Sequence, residues 1–337
     1  MKIIVDAFGG DNAPLEIIKG ARQAIDELSV LVVLTGNEEI IKKVAEENGI
    51  SLDGIEIVDA PEVVDICEDP KVVLRAKRNS SLGKGFDLLA EGKGDAFVSA
   101  GSTAAVVVGA TLIVKRLKGV KRAALATVMP GDKKSYMLMD IGANAVCRPE
   151  MLLQFGIMGE VYMNKVMGVE KPETALVNIG AEETKGTELQ LEAYKLMKEG
   201  GLNFIGNIEP RYIPEGNADV VVCDGFTGNV ILKLTEGVAK TFSANLKRIF
   251  KKNIITILAA ALVSGGIKDF KKKMDYTEHG GAPLLGLTKP VIKAHGSSNA
   301  KAIKNAIRQA KIMVESNTIS LIKDSLESAL SSCDSEE

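Results

Sequence analysis

Asp224-Gly225-Phe226-Thr227-Gly228-Asn229 packs two glycines, a carboxylate, a hydroxyl and an amide into six residues. A short apolar run, Ala218 to Cys223, precedes it. After it, Val230, Leu234 and Val238 recur at helical spacing. The pattern predicts a buried strand, a tight turn and a helix start. Such a turn aims backbone N–H groups and the positive end of a helix dipole at one point. A phosphate, or an oxygen gaining negative charge, suits that point. An ordinary strand-to-helix connection also uses Gly and Asp, so the loop alone leaves both readings open.

Four more predicted strands end in small or polar residues. They are Asp6 with Gly9-Gly10, Ser99 with Gly101-Ser102-Thr103, Asp140 with Gly142-Ala143-Asn144, and Asn178 with Gly180. In a parallel sheet these carboxyl ends lie along one edge, where ligands bind at a switch in strand order. That shared edge is the expected active site. None of the loops reads G-x-G-x-x-G, and no G-x-x-x-x-G-K-[ST] occurs, so neither a dinucleotide fingerprint nor an ATP P-loop is indicated. The two histidines, His279 and His295, each lie beside glycine in a polar loop. The basic run Val72 to Ser81, ending in hydroxyls, reads either as a solvated face or as a set of phosphate or acidic-carrier contacts.

These loops need elements to position them. Ile3 to Asp6, Val30 to Thr35 and Ile55 to Asp59 read as strands, with helical patterns between them. This β-α-β-α-β opening predicts a three-layer α/β/α fold with a mostly parallel sheet. The whole chain, 1–337, is expected to form one catalytic unit with a protruding helical arm at about 245–275. In that arm K-R-I-F-K-K and K-D-F-K-K-K flank I-I-T-I-L-A-A-A-L-V. An apolar tip with basic flanks suits an anionic membrane surface, with Ile254, Ile257, Leu258 and Leu262 as the contacts. A dimer-interface or core helix is the competing reading.

Composition excludes several classes. The 337 residues are 46% hydrophobic and carry a net charge of −2, so no basic field for nucleic acid exists. Tryptophan is absent and aromatics make up 4%, which argues against base stacking. The four cysteines are widely spaced and no C-x-x-C occurs, so no metal site is indicated and free thiols in a reducing cytoplasm are expected. The start, M-K-I-I-V-D, reads as a strand and not as a signal peptide. No apolar run reaches the ~18 residues of a membrane span.

Taken in order, several segments resemble the bacterial phosphate acyltransferases of phospholipid synthesis, the PlsX family. They are V-D-A-F-G-G-D-N-A-P, G-A-N-A-V-C-R-P-E-M-L-L-Q-F-G-I-M-G, N-I-G-A-E-E-T-K-G-T-E-L, F-I-G-N-I-E-P-R, V-V-C-D-G-F-T-G-N-V-I-L-K, G-A-P-L-L-G and H-G-S-S-N-A. The resemblance implies a fold like phosphotransacetylases and isocitrate or isopropylmalate dehydrogenases, in a homodimer that needs no cofactor. It implies attack of inorganic phosphate on the acyl thioester of acyl carrier protein, giving acyl phosphate. That product would feed a membrane-bound glycerol-3-phosphate acyltransferase. Lys185, Asn229 and His295 would be catalytic. Gly9, Gly10, Asp11, Ser102, Thr103, Asn144, Asp224, Gly225, Thr227 and Gly228 would bind substrate or phosphate. Ser99 to Ala105 reads S-A-G-S-T-A-A where the family usually has S-A-G-N-T-G-A. The protein would be cytoplasmic, held peripherally at the inner face of the cell membrane. Open alternatives are a phosphotransacetylase acting on acyl-CoA, an NAD-dependent decarboxylating dehydrogenase, and a non-catalytic scaffold at the membrane.

Overall fold

The computed structural model describes residues 1–267 and 280–333, with side chains to 329. The K-D-F-K-K-K cluster and the end of the 245–275 arm lie outside the described residues, as does His279.

The strands are short and apolar. They are β1 (Lys2–Asp6), β2 (Leu31–Gly36), β3 (Ile55–Asp59), β4 (Ala96–Ser99), β5 (Ala124–Met129) and β6 (Tyr136–Met139). Then come β7 (Thr174–Val177), β8 (Phe204–Ile208), β9 (Val220–Val222), β10 (Ala282–Leu285) and β11 (Val291–Lys293). They form one eleven-stranded sheet in the order β3-β2-β1-β4-β11-β10-β5-β6-β9-β7-β8. Side chains alternate between two cores, one on each face. Ile3 and Val5 of β1 enter one and Ile4 the other, and Met137 and Met139 of β6 divide from Tyr136 and Leu138 in the same way. A sheet buried on both faces needs apolar residues at nearly every position, which is why these strands read as continuous runs.

The helices cover both faces. They are α1 (Leu15–Leu28), α2 (Glu38–Glu47), α3 (Ser81–Ala90), α4 (Thr103–Gly109), α5 (Pro149–Lys165) and α6 (Glu188–Glu199). They continue as α7 (Gly225–Phe250), α8 (Ile254–Leu262), α9 (Ala300–Glu315) and α10 (Thr318–Cys333). The three-layer, mostly parallel architecture is as the sequence predicts.

One expectation is corrected. The five polar strand ends do not lie along a single edge. β4 and β11 are parallel, β10 is antiparallel to both β11 and β5, and β5 is antiparallel to β6. Strands β1 and β4 therefore run opposite to β6, β9 and β7. Asp6 and Ser99 end one parallel group, while Asp140, Asp224 and Asn178 end or follow the strands of the other. The antiparallel turnover between them is invisible to hydrophobic patterning, because β5, β6, β10 and β11 are as apolar as their neighbours.

Helix α7 supplies the connection. It is 26 residues long, about 39 Å at the usual rise, and starts at the end of β9. Only Gly225 and Gly228 are buried in it. Phe226, Val230, Leu234, Val238 and Phe242 form an exposed stripe at every fourth residue. Helix α8 has no buried residue.

Candidate active site

Each polar strand end folds its own loop. Asp140, fully buried beyond β6, accepts at Oδ1 from the N–H groups of Leu125 (3.2 Å), Gly142 (3.1 Å) and Ala143 (3.0 Å). Its Oδ2 accepts from the Asn144 N–H at 2.7 Å and the Asn144 side-chain amide at 2.8 Å. Burial pushes the Asp140 carboxyl up, and these donors pull it back. The carboxylate is thus spent on shaping G-A-N-A. Asn144 is also committed, since its Nδ2 additionally donates to the Ala123 carbonyl at 2.8 Å.

The D-G-F-T-G-N turn begins α7 as the sequence predicts, but most of its donors serve the chain itself. Asp224 is the N-cap, accepting from the Thr227 N–H at 2.9 Å and its hydroxyl at 2.7 Å. The Gly225 N–H donates to the Asn144 carbonyl (2.8 Å) and the Gly228 N–H to the Asp224 carbonyl (2.9 Å). The glycines are there for close approach. A Cβ on Gly225 would stand 2.7 Å from the Asn144 oxygen, and one on Gly228 only 1.9 Å from the Asp140 oxygen. The helix start therefore lies flat on the β6 loop, and Asn229 beside it faces Gly142, with its Cγ 3.8 Å from where a Gly142 Cβ would be.

Just past β7, buried Asn178 donates from Nδ2 to the Lys185 carbonyl at 2.9 Å and so closes the 179–186 loop. Lys185 is exposed on that loop. No contact among the described residues joins its ammonium to Asn229 or His295.

In the other strand group, Asp6 is buried and accepts from the Ser99 hydroxyl at 2.7 Å and the Phe8 N–H at 3.2 Å. Burial pushes its carboxyl up, and the hydroxyls of Ser81 and Ser99 with the N–H groups of Phe8 and Gly9 oppose that. Gly10 has φ +96°, and a Cβ there would lie 2.7 Å from the Gly296 carbonyl oxygen. That oxygen accepts from the Asp11 N–H at 2.8 Å, so the first loop interlocks with H-G-S-S. Ser102 precedes α4 and makes no capping bond, and Thr103 opens that helix at the surface. His295 Nδ1 accepts from the Ser297 N–H at 3.2 Å, so a neutral ring carries its proton on Nε2. Partial desolvation lowers the His295 pKa. Glu236 and Asp11 work against the shift, Lys233 and Lys293 with it.

Two residues not picked out in the sequence complete this side. Lys293, the last residue of β11, is buried, and its ammonium donates to the carbonyls of Ala100 (3.4 Å) and Ala294. Burial lowers its pKa to about 8, against the opposing charges of Asp6 and Asp11 and with help from Lys233. A lysine inside the otherwise apolar run V-I-K-A is the signal that could have revealed it. The other is Lys233, paired with Glu236 at 2.8 Å on α7. Asn229, Lys233 and Glu236 fall at i, i+4 and i+7, one face of the helix. One end of that face meets Gly142, and at the other its charges reach His295 and Lys293. Helix α7 thereby runs from the loop that follows β6 toward His295 and Lys293 of the other strand group.

Four residues of the run Val72 to Ser81 have structural partners, while Arg75 is exposed. Lys77 pairs with Glu68 (2.7 Å) and Arg78 with Asp87, Ser80 caps α3, and the Ser81 hydroxyl serves Asp6.

This sheet, with its two opposed strand groups, is a phosphotransacetylase-like α/β fold. Over 93% of this chain and 94% of theirs, it superimposes on phosphotransacetylases from Streptococcus pyogenes (TM-score 0.63, 18% identity) and Staphylococcus aureus (TM-score 0.62, 17% identity). The likeness is one of fold. At the level of family the match is direct: residues 1–321 fit the profile described as "Fatty acid synthesis protein", and the chain belongs to that family. Proteins named phosphate acyltransferase from Thermoanaerobacterium thermosaccharolyticum and Alkaliphilus oremlandii are 49% and 48% identical to it. Each alignment spans 328 residues, 97% of this chain and 97% and 98% of the relatives.

Proposed function

We propose that this protein is an acyl-[acyl carrier protein]:phosphate acyltransferase that makes acyl phosphate for phospholipid synthesis. The observation that carries the reading is the near-full-length identity to proteins named phosphate acyltransferase. The chemistry fits a site with few free acids and bases. Phosphate near pH 7 is partly dianionic and attacks the thioester carbonyl directly. The new C–O bond forms, a tetrahedral oxyanion collapses, the C–S bond breaks and the carrier leaves as thiolate. A thiol of pKa ~8.5 needs no strong acid to depart. The protein's task is to position phosphate and stabilise the oxyanion. Lys185 supplies charge, Asn229 an amide donor, and His295 a ring N–H toward the leaving sulfur. The loops of Gly9, Gly10, Asp11, Ser102 and Thr103 border the phosphate, with the buried Lys293 ammonium beneath them. Asp224, Gly225, Thr227, Gly228 and Asn144 act by seating α7. Fold neighbours named phosphotransacetylase share 17–18% identity, too little to favour an acyl-CoA substrate.

The test is phosphate-dependent release of thiol from palmitoyl-[acyl carrier protein], with acyl phosphate trapped by hydroxylamine. Release without added metal or nucleotide is the expected result. No release from carrier or CoA thioesters defeats the reading.

Three further parts belong to the same proposal. The chain acts as one catalytic unit, with the stretch about 245–275 as an arm. The exposed stripe of α7 supports pairing with a second copy, because an apolar row of this length is unfavourable in water. The exposed Ile254, Ile257, Leu258 and Leu262 of α8, near Lys247, Arg248, Lys251 and Lys252, support peripheral contact with an anionic membrane. No helix of the described residues is long and apolar enough to cross one. Acyl phosphate is amphiphilic and labile, so release at a bilayer favours its use by a membrane-bound glycerol-3-phosphate acyltransferase.

A further inference from the structure

Between Asp95 and Asp132 the chain contains no carboxylate side chain. Within that stretch Lys115, Arg116, Lys118, Lys121 and Arg122 fall in eight consecutive residues. They are presented by a built loop. Leu117 and Val120 are buried beneath it, and Lys115, Lys118, Lys121 and Arg122 are exposed above. The Leu117 N–H donates to the Gly286 carbonyl (3.0 Å), and the Thr288 N–H donates to the Lys115 carbonyl (3.0 Å). Gln154 accepts from the Lys121 N–H at 2.8 Å and donates to the Gly119 carbonyl at 3.0 Å. Arg116 folds back onto the carbonyls of Val120 and Lys121. None of the five cations pairs with a carboxylate among the described residues, whereas Lys77, Arg78, Lys134 and Lys198 all do.

The loop leads into β5, which is antiparallel to β6, so it lies at the edge where β6 ends. The contacts are direct. The Leu125 N–H donates to Asp140, the Ile141 N–H to the Leu125 carbonyl, and the Asn144 amide to the Ala123 carbonyl. The Arg122 charge is felt at Cys147, three residues past Asn144. A cationic surface without carboxylate partners among the described residues thus borders the G-A-N-A loop, on which the start of α7 lies.

We propose that the Lys115–Arg122 loop is the docking surface for an acidic face of the acyl carrier protein, which it seats so that the thioester arm enters the cleft. The proposal rests on the acyltransferase reading above. The physical need is clear. The phosphopantetheine arm carries a single phosphodiester charge and is common to carrier and CoA thioesters, so selectivity for the carrier has to come from the protein at the end of the arm. Unpaired surface charge steers such an encounter and fixes its orientation. Inside the loop the apolar side chains point inward, unlike those of α8, which favours a protein partner over a lipid surface.

The test compares wild type with Lys118→Glu/Lys121→Glu, and with Lys42→Glu/Lys43→Glu on α2 as a control of equal charge change. Substrates are palmitoyl-carrier and octanoyl-pantetheine, each assayed for phosphate-dependent thiol release. The loop variant should raise KM for the carrier about tenfold at ~50 mM salt, with the gap shrinking at ~300 mM as screening increases. Its kcat, its turnover of octanoyl-pantetheine and its melting temperature should match wild type. An unchanged KM for the carrier overturns the proposal. So does an equal loss with octanoyl-pantetheine, which would place the loop in the chemistry. Loss of binding to anionic vesicles with unchanged carrier kinetics would assign the surface to lipid instead. Inactive wild type with both thioesters would instead defeat the acyltransferase reading itself.

Discussion

Replacing Gly228 by alanine tests how α7 is seated. The added Cβ would stand 1.9 Å from the Asp140 carbonyl oxygen and 2.9 Å from the Cys223 sulfur. A carbon–oxygen contact needs roughly 3.3 Å, so the helix start must retreat by about 1.4 Å along that line. The obstacle is backbone, and Asp140 is held by its buried bonds, so most of the movement falls on α7. Overpacking of this kind costs ~1–3 kcal/mol. In a chain of this length that lowers the melting temperature by about 1–4 °C. The effect on rate should be larger than the effect on stability. Asn229 is the next residue and Lys233 lies one turn on, so both move with the helix. A displacement near 1 Å in a positioning group costs about 10²-fold. The assay is phosphate-dependent thiol release with thermal unfolding measured on the same preparation. Activity within threefold of wild type, with an unchanged melting temperature, would refute the reasoning.

Lys185→Ala should lose roughly 10²-fold or more in kcat/KM while remaining folded, the scale of one lost oxyanion donor, and near-normal turnover would remove Lys185 from the site. Lys293, with its pKa lowered to about 8, is charged at pH 7 and loses that charge as pH rises through about 8. The rate should therefore fall on an alkaline limb near pH 8, and Lys293→Met should show a lower plateau without that limb; an unaltered profile would exclude Lys293 from control of the rate. Leu258→Glu/Leu262→Glu should reduce co-sedimentation with anionic vesicles by about tenfold or more, since each charge placed in an apolar contact is strongly opposed, and unchanged binding would make α8 purely structural.

Much of this molecule is legible in the sequence, and the rest is hidden for identifiable reasons. Strands buried on both faces leave unbroken apolar runs, so β1, β2, β4 and β9 stand out. Asp224 with Gly225 and Gly228 marks the start of α7 by residue type alone. Strand direction is different. The antiparallel pairs β10–β11, β10–β5 and β5–β6 reverse the sheet at its centre, and pairing partners leave no trace in local pattern. The glycines of the D-G-F-T-G-N turn suggest room for an anion, yet the oxygens they admit are those of Asn144 and Asp140. Spacing reveals that a backbone comes close, and only the fold reveals which backbone. Lys293 was hidden because charge on a strand reads as an exposed edge until the strand is found buried between β4 and β10.

The three aspartates at the loop starts explain how a site suited to phosphate tolerates so many carboxylates. Asp6, Asp140 and Asp224 each accept from donors of their own loop, the fully buried Asp140 from four such groups and from the Leu125 N–H of β5, and Asp6 also from the Ser99 hydroxyl of β4. A carboxylate that receives several N–H groups has its charge largely compensated locally, and removing any one acceptor would orphan buried donors at a cost of about 1–3 kcal/mol each. Their role is to hold glycine-rich loops rigid. On the proposed reading the cations available to substrate are Lys185 on its loop and Lys293 below the first, with Lys233 balanced by Glu236 and Asp11 as the opposing carboxylate beside Lys293. Direct attack by phosphate dianion on a thioester needs no general base, only a rigid cleft that tolerates growing negative charge. An acidic device used three times to fix loops, with cations placed between them, is consistent with that demand and leaves the outer cations at Lys115–Arg122 available for a partner.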